Sequence, residues 1–171
     1  MNRIFLTVDT ECHDIRKENQ YIWGRKNGKE YGIGRILELG EQYRVPINFF
    51  VDFAEGKRYG IDFIKRVVDK ISCYKQPVFL HLHPNYISGE ECKTYLWEYS
   101  KEEQKSILSE GINLYKEVMG KKPVAFRAGR YGVDKDTYDL IDELMPGVVD
   151  LSYTGGYGKM CHVEHELFDT V

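Results

Sequence analysis

Two histidines separated by a single residue form the most specific chemical pattern in this sequence. His81 and His83 stand at the end of a short apolar run, with Leu82 between them. Because side chains alternate along a β-strand, an extended backbone would place both imidazoles on one face. Neutral imidazole is the commonest nitrogen ligand of protein-bound metals, so the pair could share a metal ion. The alternative is a pair of hydrogen-bonded core histidines.

Two acids end the first apolar run of the chain. Asp9 and Glu11 flank Thr10, and the same alternation would direct both carboxylates to one side. Two nitrogens, one carboxylate and an open position make up a hydrolytic metal site. The sequence therefore predicts a divalent metal, with zinc expected, held by His81, His83 and a carboxylate from Asp9 or Glu11. A helix cap or surface loop is the alternative for either acid.

A fixed positive charge ends a later apolar run, where small residues follow it. Arg127 could orient a catalytic carboxylate or hold an anionic substrate group, and its alternative is a structural ion pair. Arg130 is a candidate substrate contact or a plain surface residue. Flat aromatic rings can stack on sugar faces, and Trp23 and Tyr131 are the predicted sugar contacts.

The elements that would position these residues alternate between strands and helices. Apolar runs predict strands at 3–8, 45–53, 77–82, 124–127 and 148–153, and the first two are expected to be buried. Helical spacing predicts helices around 33–43, 63–71, 100–120 and 135–144, the third opened by a capping box of Ser100 and Glu103. This alternation predicts an α/β fold with parallel strands. Five strands suffice only for an incomplete or distorted barrel.

Length and composition narrow the classes of protein. The 171 residues predict one domain, and a net charge of −3 gives no positive field for nucleic acid. The chain has no apolar stretch long enough for a signal peptide or membrane span, so no membrane insertion is expected. Four scattered cysteines without a CxxC pair indicate reduced thiols and a cytoplasmic location.

Three motifs, in this order, resemble the polysaccharide deacetylase family, the carbohydrate esterases of family four. They are TVDTE at 7–11, HLHP at 81–84 and FRAGRYG at 126–132. The resemblance implies a distorted (β/α)7 barrel and metal-dependent removal of acetyl groups from N-acetylated sugars. It implies that Asp9 is the catalytic base and that the substrate is a carbohydrate.

The sequence departs from the family pattern at two positions. Thr10 stands where the family has its metal-binding Asp, so Glu11 is the nearest substitute ligand. Phe79 stands where the first histidine of the family's second motif falls, so His81 takes that place. The single domain, 1–171, is expected to lack the last strands of the barrel, one of which carries the family's general-acid histidine. His162 and His165 are the downstream imidazoles.

Two other functions compete with a deacetylase. One is a metal-dependent amidohydrolase or phosphoesterase, in which an HxH pair binds metal on the first strand. The other is a catalytically inactive carbohydrate-binding protein that kept the fold. In either case the last predicted strand would leave an unpaired sheet edge, which the segment 157–171 or a second copy of the chain could cover. We expect self-association.

Overall fold

A computed structural model of the protein describes residues 4–153. In chain order its helices and strands are β1 (Leu6–Thr10), β2 (Arg25–Lys26), β3 (Lys29–Glu30), α1 (Ile33–Tyr43), β4 (Ile47–Asp52), α2 (Glu55–Tyr59), α3 (Ile61–Cys73), β5 (Val78–Leu82), α4 (Pro84–Ser88), α5 (Lys101–Met119), β6 (Ala125–Ala128), α6 (Lys135–Leu144) and β7 (Val149–Asp150). Single helical turns lie at Ile15–Lys17, Asn19–Trp23, Leu96–Glu98 and Gly129–Tyr131.

Five of these strands form one sheet in the order β1-β4-β5-β6-β7, and every neighbouring pair is parallel. Helices connect the successive strands, as parallel pairing requires. Within residues 4–153 the first and last strands do not pair with each other, so the sheet curves without closing. The predicted α/β class with an incomplete barrel is confirmed, and β2 and β3 add a small antiparallel hairpin.

The predicted strands and helices are present, with two differences at the ends of the sheet. The first strand was expected to be buried, but Leu6 is 48% exposed because β1 is an edge strand with β4 as its neighbour. The last strand is two residues long instead of six. No helix in this part of the chain has both the length and the apolar content to span a bilayer.

The outer face of the sheet packs against the helices and forms the core. Phe49, Leu80 and Phe126 are fully buried there, and α3 and α5 lie against this face. Gly111 of α5 lies so close to Leu82 that a β-carbon at this glycine would come within 2.1 Å of the leucine side chain. This close approach seats α5 on β5, the strand that contains His81 and ends one residue before His83.

The inner face of the sheet is different, because no described helix covers it. An apolar cavity of about 520 Å³ lies on this face, lined by Phe5, Thr7, Asn48, Phe50, Phe79, Val124, Ala125, Val149 and Leu151. Phe5 is 72% exposed there.

The predicted self-association stays a prediction, as does the single domain. The segment 157–171, with His162 and His165, lies outside the described residues.

The predicted capping box at the start of α5 is confirmed. Ser100 Oγ accepts a hydrogen bond from the Glu103 amide at 3.4 Å, and Glu103 Oε2 accepts one from the Ser100 amide at 2.8 Å. These bonds satisfy two amides that a helix start leaves without partners. Gly120 ends the helix with a positive φ of 65°.

We expect Ser100→Ala to lower the free energy of unfolding by about 1 kcal/mol, because the Glu103 amide loses its acceptor. Urea denaturation measures the change. Ser106→Ala is the matched control, since Ser106 is exposed within α5 and alanine has the higher helix propensity. Equal effects of the two substitutions would contradict the capping role.

Candidate active site

The register of the sheet brings four strand ends to one place. Asp52 at the end of β4 is the Cα partner of His81, which in turn is the partner of Arg127. Thr10, the last residue of β1, pairs with Val51, and Glu11 follows it directly. Ligands of parallel α/β folds bind at this edge of the sheet.

Glu11, His81 and His83 form the predicted ligand group, and their donor atoms lie within 4.8 Å of one another. Glu11 Oε2 is 2.7 Å from His83 Nε2 and 3.8 Å from His81 Nε2. Of the two acids that the sequence left open, Glu11 is therefore the one in the group. Both histidines are buried, His81 with 2% exposure.

The hydrogen bonding of His81 shows that this group suits a metal ion. His81 Nδ1 lies 2.9 Å from the Arg127 carbonyl oxygen, which can only accept, so Nδ1 carries the hydrogen. Nε2 of His81 then presents its lone pair towards Glu11 Oε2, which lies 3.8 Å away. A lone pair and a carboxylate oxygen facing each other repel unless a cation lies between them. The residues therefore fit a divalent metal.

The pKa shifts in the group favour the protonation states that a metal requires. Burial acts to raise the pKa of Glu11, but the neighbouring imidazoles of His13, His81 and His83 outweigh it and hold this pKa well below its ordinary value. Burial lowers the pKa of His83. An ionised carboxylate and a neutral imidazole are the metal-binding forms of these side chains.

His13 is a third histidine at the site; its position directly after the acids is compatible with a supporting role there or with plain exposure. Its Nε2 lies 3.1 Å from Glu11 Oε1, and its Nδ1 lies 3.2 Å from the Tyr86 hydroxyl. The contact with Glu11 raises the pKa of His13, whereas burial and the charge of Arg130 oppose that rise. The sequence signal was its position two residues after Glu11, but its positive φ of 54° could not be foreseen.

Asp9 lies beside the ligand group in an ion pair with Arg127. Arg127 Nη1 donates to Asp9 Oδ1 at 2.5 Å, and Nη2 donates to Thr7 Oγ1 at 3.2 Å. The guanidinium carbon lies 4.3 Å from the centroid of the Phe50 ring and 5.7 Å from that of Tyr131. Arg127 thus holds the Asp9 carboxylate in a fixed orientation, one of the two roles that the sequence suggested.

The turn after β6 approaches the histidines closely. A β-carbon at Gly129 would lie 2.7 Å from the His83 ring, so only glycine fits there without displacement. Arg130 and Tyr131 follow with φ of 55° and 56°, which non-glycine residues rarely adopt. Arg130 is exposed and Tyr131 is half-buried.

Trp23 makes its contacts with residues outside the ligand group. It is 7% exposed, its Nε1 donates to Glu18 Oε1 at 2.5 Å, and the Arg25 guanidinium lies 5.1 Å from its ring centroid. Its role as a sugar contact stays a prediction, as do those of Arg130 and Tyr131.

Two buried acids form a layer beneath the ligand group. Asp52 Oδ1 accepts hydrogen bonds from the amides of Ala54 and His83, at 3.0 Å and 3.3 Å, while the buried Oδ2 has no hydrogen-bond partner among residues 4–153. Glu55 Oε1 accepts from the amides of Cys12 and His13. Burial raises the pKa of Asp52 well above its ordinary value and that of Glu55 to about 7. Sequence analysis missed Glu55. The feature that could have indicated a role at the site is its position three residues after the end of β4.

The comparison with solved structures indicates a class of fold. No protein-family model and no curated protein matches the sequence. The solved structures that match include pseudoenzymes of carbohydrate esterase family four (CE4) and a peptidoglycan deacetylase. The resemblance seen in the three motifs is therefore confirmed at the level of the fold.

Three of the matching structures illustrate this likeness. The wild-type BA3943 protein of Bacillus anthracis, described as a CE4 family pseudoenzyme, is 18% identical, with a TM-score of 0.56 over 85% of this chain and 41% of that chain. A BA3943 mutant described as having restored enzymatic activity is 19% identical, with a TM-score of 0.55 over 85% and 42%. The peptidoglycan deacetylase PdaC of Bacillus subtilis is 15% identical, with a TM-score of 0.52 over 85% and 55%. This chain thus spans about half or less of each.

We expect Asp52→Asn to gain stability relative to the wild type as the pH rises from 5 to 8 in metal-free buffer. A carboxyl group whose pKa is raised by folding adds stability below its unfolded pKa and loses that contribution as the pH rises through its folded pKa. The amide does not ionise, so the difference in unfolding free energy grows by up to about 1.4 kcal/mol per pH unit.

Urea denaturation across this pH range, with a chelator present, tests the expectation. Asp62→Asn is the control, because the Asp62 side chain is 90% exposed and its substitution should leave the pH profile parallel to that of the wild type. A parallel profile for Asp52→Asn as well would show that this buried carboxyl does not bind its proton more tightly in the folded state.

Proposed function

We propose that this protein is a metal-dependent hydrolase that removes the acetyl group from an N-acetylated sugar or a polysaccharide precursor. The observation that carries the proposal is the placement of Glu11, His81 and His83 beside the Asp9–Arg127 pair. This constellation lies at the carboxyl ends of the parallel strands in a CE4 fold. We propose zinc as the metal, since two imidazoles and one carboxylate suit it.

A bound divalent metal would polarise the amide carbonyl and lower the pKa of a water molecule towards about 7. His81 is oriented for this by its bond to the Arg127 carbonyl, and His83 is seated against Gly129. Asp9 would accept the proton of the attacking water as general base. Arg127 keeps the Asp9 carboxylate pointing into the site, and its stacking on Phe50 prevents it from swinging away.

The substrate class is proposed from the fold and the residues at the mouth of the site. PdaC is a peptidoglycan deacetylase, and N-acetylated sugars are the substrates implied by the motif resemblance. The Tyr131 ring lies beside Arg127 and is half-buried, so its free surface could contact a pyranose ring. Arg130 is exposed on the same turn and could hold a polar substituent of the sugar.

A catalytically inactive, carbohydrate-binding protein is the second candidate. Two observations favour it: Thr10 and Phe79 replace the family's metal-binding Asp and first histidine, and the matching BA3943 structures are described as those of a pseudoenzyme. The HxH amidohydrolase or phosphoesterase has less support. Its histidine pair belongs on the first strand, whereas His81 lies in the third strand of this sheet and His83 directly follows that strand.

We expect the wild-type protein to bind about one equivalent of Zn²⁺ and His81→Ala to lose most of that affinity. Loss of an outer-shell partner alone costs about 10–100-fold in metal affinity, so removal of a ligand should cost at least as much. Calorimetric titration with Zn²⁺ and elemental analysis measure it. Glu110→Ala is the control, because Glu110 is a surface acid paired with Lys57 at 2.9 Å. Unchanged zinc content in His81→Ala would exclude this metal centre.

We expect Asp9→Asn to keep its zinc and lower the rate of acetate release from an N-acetylglucosamine oligomer by about 10²–10⁴-fold, as loss of a general base does. The measurement is acetate release under saturating Zn²⁺, with zinc content determined on the same samples. Near-normal turnover by Asp9→Asn would place the base elsewhere. Zinc binding by the wild type without any acetate release would favour the inactive carbohydrate-binding alternative.

A further inference from the structure

Glu55 is a buried acid that neither the ligand group nor the Asp9–Arg127 pair uses. It begins α2 and is 1% exposed. A single carboxylate oxygen, Oε1, accepts hydrogen bonds from two successive backbone amides, that of Cys12 at 2.6 Å and that of His13 at 2.8 Å. A buried carboxylate is costly unless it is hydrogen-bonded, and an apolar side chain in its place would leave both amides without an acceptor.

These amides lie directly after the metal-ligand candidate Glu11. The amide of Cys12 belongs to the peptide bond that Glu11 begins, so its direction sets where the Glu11 side chain leaves the backbone. β1 ends at Thr10, and the register with β4 therefore does not hold the chain at 11–13. Other contacts must fix this segment.

Both ends of the short helix α2 supply such contacts. Glu55 holds the amides from one side, and the Tyr59 hydroxyl donates to the His13 carbonyl oxygen from one turn further along. Between these two contacts His13 is held at a positive φ of 54°, a conformation that a histidine seldom adopts unaided. The bend directs the His13 ring to Glu11 Oε1.

We propose that Glu55 is a positioning residue of the metal centre: through the amides of Cys12 and His13 it sets the orientation of Glu11 and of the His13 ring. The inference rests on the proposed function of Glu11, His81 and His83 as metal ligands. Asp52 has the corresponding relation to the other ligand segment, because its Oδ1 accepts from the His83 amide. The layer beneath the centre thus contacts both segments that carry ligands.

Titration of the intact chain with Zn²⁺ alone tests the role of Glu55. We expect Glu55→Ala to weaken zinc binding by about 10–100-fold. Glu55→Gln keeps an acceptor oxygen at the same position and should restore affinity to within a few-fold of the wild type. Glu110→Ala is the matched control, since Glu110 is a surface acid paired with Lys57 at 2.9 Å.

A second measurement separates positioning from general support of the fold. The melting temperature of each variant is recorded without metal and with saturating Zn²⁺, because a ligand stabilises the state that binds it. A purely structural Glu55 would lower the metal-free melting temperature and leave the zinc affinity unchanged, which would overturn the proposal. If Glu55→Ala does not fold, Glu55→Asp replaces it, because a side chain shorter by one methylene cannot reach both amides and should weaken zinc binding. Absence of zinc binding in the wild type would overturn the metal centre itself, and the inference with it.

Discussion

The hydrogen bond between His81 Nδ1 and the Arg127 carbonyl oxygen connects most features of the site. It joins the strands β5 and β6 at a rung where the two residues are Cα partners. The bond places the hydrogen of the imidazole on Nδ1, and Nε2 therefore presents a lone pair towards Glu11. The side chain of the same residue, Arg127, donates a hydrogen bond to the Asp9 carboxylate. One rung of the sheet therefore orients both a metal-ligand candidate and the proposed base.

The electrostatics of the site depend on this arrangement. Burial raises the pKa of Asp52 well above normal, and the charges of Glu55 and Glu11 add to this rise. Burial likewise raises the pKa of Glu55 to about 7, and the charge of Glu11 contributes. Glu11 is the exception, since the surrounding imidazoles keep its pKa low. The negative charge is thereby concentrated on the one acid that faces two buried imidazole nitrogens. A divalent cation at that position would compensate the negative charge of Glu11, whose burial otherwise carries a desolvation penalty.

The sequence predicted those parts of the site that depend on local periodicity. Strand alternation placed His81 and His83 on one face, and the capping box located the start of α5, because both patterns depend on residues a few positions apart. The choice between Asp9 and Glu11 could not be made, since it depends on the register between β1 and β4. Glu55 was missed because its role depends on contacts between distant parts of the chain. Its partners Cys12 and His13 are more than forty positions earlier.

The proposed base, Asp9, and the inner face of the sheet are also coupled, through Phe50. Its ring stacks under the Arg127 guanidinium and at the same time lines the apolar cavity of about 520 Å³. Thr7 belongs to both as well, since its hydroxyl accepts a hydrogen bond from Arg127. Polypeptide that covers this face would remove water from the Asp9–Arg127 pair, and an ion pair strengthens as the surrounding dielectric constant falls. The strength of the Asp9–Arg127 ion pair therefore depends on what packs against a surface that lies outside the ligand group.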